Sequence, residues 1–200
     1  MSDSCCTRFL SSPMSSVKIL LPSVAIQALL HNKLWPTQSL RQITLYLALL
    51  NTYWFATTFN FSFLETPFLV CLPTVNKKQR TDCGRHRFNW LNKMEIFVSV
   101  LGLDLFCEWR KRILDHNGFV DVFLSSAVLL PVLATAVQGA YLLPKINERA
   151  RLIEAVPTTD DLYEKDRIFP NAHRAYIGFE GLKVIGLAVA GIRFGKMLTI

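Results

Sequence analysis

Four apolar stretches alternate with polar, charge-rich segments along the chain. A helix that crosses a bilayer needs roughly 20 predominantly apolar residues. Gln42 to Leu72 contains one charge, Glu65, and exceeds that length, so part of it is expected outside the hydrocarbon and the first span is set at 43–63. Pro67 disfavours helical geometry at Thr66, and Pro73 closes the segment. The second span, 88–108, has a short apolar heart from Ile96 to Cys107, with Lys93 and Glu95 in its first turns and Asp104 near its end. The long Lys93 side chain can reach toward the headgroups. The third, 122–143, holds no charge; Pro131 predicts a kink and Pro144 the end of the helix. The fourth, 175–192, carries Glu180 and Lys183, and its Gly and Ala residues recur at a spacing that lets helices approach closely.

The intervening segments read as loops. Val75 to Lys93 sets six cations against Asp82, and Glu108 to Asn117 reads as a short charged turn. Lys145 to Arg174 is polar, with a surface helix expected over Ile146 to Ala155 and a turn with a helix cap over Pro157 to Asp160. Residues 1–40 form an N-terminal tail. Its Ser-rich start is faintly like a transit peptide but lacks the Arg enrichment, so a targeting segment is the alternative reading of this tail. Its apolar run from Ile19 to Leu30 is too short to span and is expected to be an interfacial or packed helix.

Composition supports a bilayer as the solvent. Apolar residues make up 51% of the 200 and charged residues 18%, below the roughly 25% typical of soluble domains. This excludes a disordered or collagen-like chain. The net charge of +7 comes from cations that flank apolar runs, as in membrane-protein loops, which argues against a nucleic-acid partner. These cations are shared between both faces, so orientation stays open.

An even number of crossings gathers Glu65, Lys93, Glu95, Gln138, Glu180 and Lys183 at one depth, with Asp104 and Asp121 toward the opposite face. Ionisable groups at membrane depth cost about 2.5–3.5 kcal/mol each when central. Two readings of this polar layer follow. In one, ion pairs such as Glu180 with Lys183, spaced i,i+3, fasten the bundle. In the other, the layer is an ion or proton site, or a polar substrate pocket.

Catalytic and cofactor motifs are missing from the sequence. There is no G-x-S-x-G, H-E-x-x-H, P-loop or Gly-rich dinucleotide turn. His31, His86, His116 and His173 lie in predicted loops or tails, which argues against a bis-histidine haem. Five cysteines without a C-x-x-C pair argue against a disulfide framework. Cys83 and His86 form a lone C-x-x-H, short of the four ligands of a structural zinc. Cys5 and Cys6 read as tail residues, with palmitoylation as the alternative. No enzyme, metal or cofactor is expected.

Four stretches carry a resemblance. They are Leu64-Glu65-Thr66-Pro67; Gly84-Arg85 followed by Phe88, Leu91, Asn92, Lys93 and Glu95; Gln138 with Leu142-Leu143-Pro144 and Arg149; and His173, Tyr176, Glu180 and Lys183. In order and spacing they resemble a family of small four-span integral membrane proteins, a domain of unknown function found in bacteria and eukaryotes. The resemblance covers 55–191, and the loop after Pro73 is more basic than that family's pattern. It implies four spans and a membrane location, and no activity. The expectation is an all-α, four-helix transmembrane bundle with a short N-terminal interfacial helix. It would act as a non-enzymatic membrane component or scaffold, possible partners being a second copy or another membrane protein. The alternative is a small ion- or proton-coupled transporter.

Overall fold

A computed structural model describes residues 15–148 and 171–199. Every element among the described residues is helical, in five helices. α1 is Ser15–Lys33, followed by a 3-10 turn at Trp35–Thr37. α2 runs without a break through Leu40–Phe59, Asn60–Glu65 and Thr66–Cys71. α3 is Lys77–Asp115, α4 is Val122–Glu148 and α5 is Asn171–Met197. By length and composition, α4 and α5 can each cross a membrane.

α2, α5, α4 and α3 pack around a square in that order, so α3 and α5 face each other across the diagonal. α1 lies on the outside of α3. Three apolar layers fill the interior. Ile43, Leu47, Trp109, Leu124 and Phe194 occupy one end. Trp54, Val98 and Leu187 form the middle, and Leu142, Leu143 and Tyr176 the other end.

Two expected helix ends are not ends. α2 passes Pro67 and α4 passes Pro144, both by the same device. A proline lacks the N–H that would bond the carbonyl four residues back, and its ring crowds that carbonyl. In each helix a wide π turn, Asn60–Glu65 or Gln138–Leu142, finishes two residues before the proline. The Leu143 N–H reaches back to the Gln138 carbonyl, and Thr66 Oγ1 donates to the Phe61 carbonyl at 2.7 Å. The widened turn supplies the room that an α turn would deny.

The predicted basic loop over 75–93 is helical from Lys77 onward. Asn76 and Gln79 form a reciprocal capping box, with bonds of 2.9 and 3.0 Å, that starts α3 early. Arg80 Nη2 donates to the Leu72 carbonyl at 2.7 Å and ties the new helix to the end of α2. The predicted turn at 108–117 is likewise helical to Asp115. Asn117 then adopts the left-handed conformation (φ 57°). The Gly118 N–H bonds the Ile113 carbonyl at 2.8 Å and the Asn117 N–H bonds Leu114 at 3.0 Å, a Schellman ending. A side chain at Gly118 would meet the Ile113 carbonyl at 2.9 Å. At 39 residues α3 is roughly 58 Å long, about twice a bilayer's hydrocarbon thickness.

Two glycines of α5 set close approaches. A Cβ on Gly186 would lie 3.0 Å from the Ala127 carbonyl, the one that Pro131 leaves without its N–H partner. A Cβ on Gly191 would likewise lie 3.1 Å from Thr52 Oγ1 of α2.

α1 is longer than the predicted run over 19–30 and is held to the bundle. Asp104 of α3 accepts from Trp35 Nε1 at 2.6 Å and bonds His31 Nδ1 at 2.9 Å. Arg112 donates to the carbonyls of Trp35 and Gln38. Cys5, Cys6 and the Ser-rich start lie outside the described residues, as do most of the surface helix expected over 146–155 and the turn over 157–160.

Candidate functional site

The geometry begins with polar residues at helical spacing on α2. Trp54, Thr58 and Ser62 recur every four residues, so they share one face of that helix. Each points at a carboxylate on another helix. Trp54 Nε1 donates to Glu95 Oε1 at 3.2 Å and Thr58 Oγ1 to the same oxygen at 2.9 Å. Ser62 Oγ, in the π turn, meets Glu180 Oε2 at 2.9 Å.

Lys183 closes the diagonal between α3 and α5. Its ammonium lies 2.6 Å from both oxygens of Glu95 and 2.8 Å from Glu180 Oε1. Gln138, at the start of the π turn in α4, donates through Nε2 to Glu180 Oε1 at 2.9 Å and to the Tyr176 carbonyl at 3.1 Å. All four helices of the square therefore contribute to one network. Its charged members are sealed from solvent, with Lys183 at 0% exposure and Glu95 and Glu180 at 1%. Charge-assisted bonds of this kind are about twice as strong as neutral ones. They must offset several kcal/mol of desolvation per ion.

Four of the six residues expected at one depth thus come together: Glu95, Gln138, Glu180 and Lys183. Two do not. Lys93 is buried, but it stands two positions from Glu95, about 200° around the helix, so the two cannot face the same partner. Its Nζ donates back to the Asn89 carbonyl at 3.1 Å. Glu65 is displaced because the extra residue of the π turn rotates the positions beyond Ser62 off the inward face. It is half exposed and paired with Arg87, and it accepts from Asn60 Nδ2 at 2.6 Å. Arg87 also stacks on Phe61. An open groove lined by Leu64, Phe68 and Leu72 runs beside the Glu65–Arg87 pair.

Sequence reading missed Trp54, Thr58 and Ser62, although their spacing of four inside an apolar run is legible. It also missed a second polar contact between α3 and α4. Asn89 and Asn147 exchange two bonds of 3.0 Å, and Asn92 Nδ2 donates to the Thr135 carbonyl at 3.2 Å. Gly139 permits that approach, since a Cβ there would lie 2.6 Å from Asn92 Oδ1. Within the described residues, Asn92 Oδ1, Thr135 Oγ1 and Gln138 Oε1 have no hydrogen-bond partner. Among the same residues no three His, Cys, Asp or Glu side chains converge as metal ligands.

Toward the far end of the bundle, Asp121 caps α4 by accepting from the Leu124 N–H at 2.8 Å, and it pairs with Arg193 of α5. The Leu124 bond, with the Arg193 guanidinium beside it, holds the Asp121 carboxyl below the ordinary aspartate range. Comparison with family models, curated proteins and solved structures returns no match.

Proposed function

We propose that the chain is a multi-pass integral membrane protein, a non-enzymatic component whose α2–α5 bundle is embedded in lipid and locked by the Glu95–Lys183–Glu180 network. The observation that carries this reading is an inverted distribution of polarity. Leu49 and Tyr53 of α2, Val122, Phe123 and Leu133 of α4, and Ile185 and Ile192 of α5 are exposed. Lys93, Glu95, Glu180 and Lys183 are buried. Soluble proteins almost never bury such charges fully while exposing so many large apolar side chains. Ionisable residues that face a bundle interior are the arrangement expected in lipid. The resemblance to small four-span proteins points the same way, with α2 and α3 as the two further crossings. Its partner is then the bilayer itself, and the fully bonded triad is a fastening between helices.

Membrane fractions separate this reading from a soluble bundle. The expressed chain should stay in the pellet through alkaline carbonate washing and leave it only with detergent. Recovery in a detergent-free supernatant refutes the proposal.

A second reading, a small proton-linked carrier, is favoured by one feature: two carboxylates surround a single ammonium, which leaves one negative charge uncompensated. Of the glutamates expected for such a site, only Glu95 and Glu180 are in position. Proteoliposomes holding a pH-sensitive dye discriminate the two. A fastening gives no proton flux above protein-free vesicles, whereas flux abolished by Glu180→Gln establishes the carrier.

A further inference from the structure

Glu95 and Glu180 differ in the partners that surround them. Both oxygens of Glu95 are engaged as acceptors. Its Oε1 accepts from Trp54, Thr58 and Lys183, and its Oε2 accepts from Lys183. An indole N–H and an ammonium can only donate, so each Glu95 oxygen faces a donor that could not take up a carboxyl proton. Glu180 Oε1 is likewise occupied, by Lys183 and by the Gln138 amide. Among the described residues Glu180 Oε2 bonds Ser62 Oγ, at 2.9 Å, and the Tyr176 hydroxyl lies near the same carboxyl. A hydroxyl donates or accepts with equal ease, so this one bond can run in either direction.

Charge balance selects the direction. Two carboxylates and one ammonium sum to minus one, in a space closed to water. An isolated buried charge costs far more than its neutralisation, so such groups take up a proton instead. The titratable groups nearest the site do not alter the sum. A phenol is uncharged at neutral pH, so Tyr176 on α5 adds nothing, and the Lys93 ammonium of α3 donates to the Asn89 carbonyl on another side of its helix. α2 and α4 face the site with uncharged residues, Trp54, Thr58, Ser62 and Gln138. Gln138, whose Nε2 bonds Glu180 Oε1, is wholly buried and adds no charge.

We propose that the triad is a proton-binding site, with one exchangeable proton on Glu180 Oε2 donated to Ser62 Oγ. The proton comes from bulk water and no other bond changes. Ser62 is half-buried at the π turn, whereas Glu95 and Glu180 are sealed, so Ser62 is the face through which the proton exchanges. The π turn places a hydroxyl here while the rest of α2 remains helical. The inference rests on the reading of a lipid-embedded bundle, in which bulk water cannot screen the excess charge.

Infrared difference spectroscopy of the full chain in lipid nanodiscs tests it, because a protonated carboxyl has a carbonyl stretch that a carboxylate lacks. At neutral pH the wild type should show one such band, shifted when water is replaced by deuterium oxide. Glu180→Gln should remove the band. Glu95→Gln should remove it too, because the remaining carboxylate and ammonium then balance. Ser62→Ala, which leaves every charge in place, should move the band, and Thr58→Ala should not. Absence of the band in the wild type overturns the proposal. So does a band that survives Glu180→Gln, or one that Thr58→Ala moves while Ser62→Ala leaves it in place. An absent band in a chain that resists carbonate extraction refutes the proton alone. Extraction by carbonate refutes the membrane reading whatever the spectrum.

Discussion

Replacing Lys183 by Met removes the ammonium and keeps an unbranched chain of similar length, so the change isolates charge from packing. Lys183 is 0% exposed and makes contacts of 2.6, 2.6 and 2.8 Å to two carboxylates. Its loss leaves Glu95 without a counter-charge in the core and removes a donor from Glu180. Breaking one partner from a buried pair costs about 3–5 kcal/mol, roughly a hundred- to several-thousand-fold in the folding equilibrium at about 1.4 kcal/mol per tenfold. Against a typical total of about 5–15 kcal/mol, that is a large share. The neutral triple variant Glu95→Gln, Glu180→Gln, Lys183→Met leaves acceptors for Trp54 and Thr58 and no charge within the network. It should recover most of the loss and lie within about 2 kcal/mol of wild type. Reversible unfolding in mixed micelles, followed by circular dichroism, gives both values. A single substitution that costs under about 1 kcal/mol, or a triple variant as unstable as the single one, refutes the account of the triad as a charge-balanced fastening.

Gly186→Ala should lower stability by about 1–3 kcal/mol through crowding, because its Cβ would sit 3.0 Å from the Ala127 carbonyl and 3.2 Å from Pro131. Gly181→Ala, on the same helix with open space around it, should instead stabilise by about 0.5–1 kcal/mol. Parallel melting curves in one detergent test this opposition of sign. Because Asp121 is held below its ordinary range in the fold, its contribution is complete above that range. It fades as pH falls through the lowered value, on the acid side of the ordinary 3.8. Amide exchange at Leu124 should therefore accelerate on acidification in the wild type, and show no such acid dependence in Asp121→Asn. Asp104→Ala should release α1, since the bonds to Trp35 and His31 go together. Limited proteolysis should then cut within Ser15–Lys33 while the bundle stays intact.

Depth along the helices was legible in the sequence, and azimuth around them was not. The up-and-down alternation of the helices is enough to bring Glu95, Gln138, Glu180 and Lys183 near one level. Whether a residue at that level faces inward depends on rotation, which removes Lys93, two positions from Glu95, and Glu65, beyond a π turn. The apolar runs of α4 and α5 were plain. α3 was misread at its start because six cations suggest a loop. The pair Asn76 and Gln79, spaced as a capping box, was the overlooked sign of a helix start. Pro67 and Pro144 were read as terminators by a rule that holds for α turns. Nothing in the sequence marks that the preceding turn widens to accommodate them. The docking of α1 rests on Asp104, which lies 69 and 73 positions from its partners Trp35 and His31, a separation no local pattern marks.

The central claim is that α2 and α3 are crossings joined on one side of a bilayer, and native cysteines are positioned to test it. Cys71 lies at the end of α2 and Cys83 near the start of α3, while Cys107 is exposed 24 residues further along α3, roughly 36 Å away. With Cys5 and Cys6 replaced by Ser, a membrane-impermeant thiol reagent is applied to sealed vesicles and to opened ones. The account predicts that Cys71 and Cys83 react from the same side and Cys107 only from the other. Labelling of Cys83 and Cys107 from a single side of sealed vesicles contradicts it.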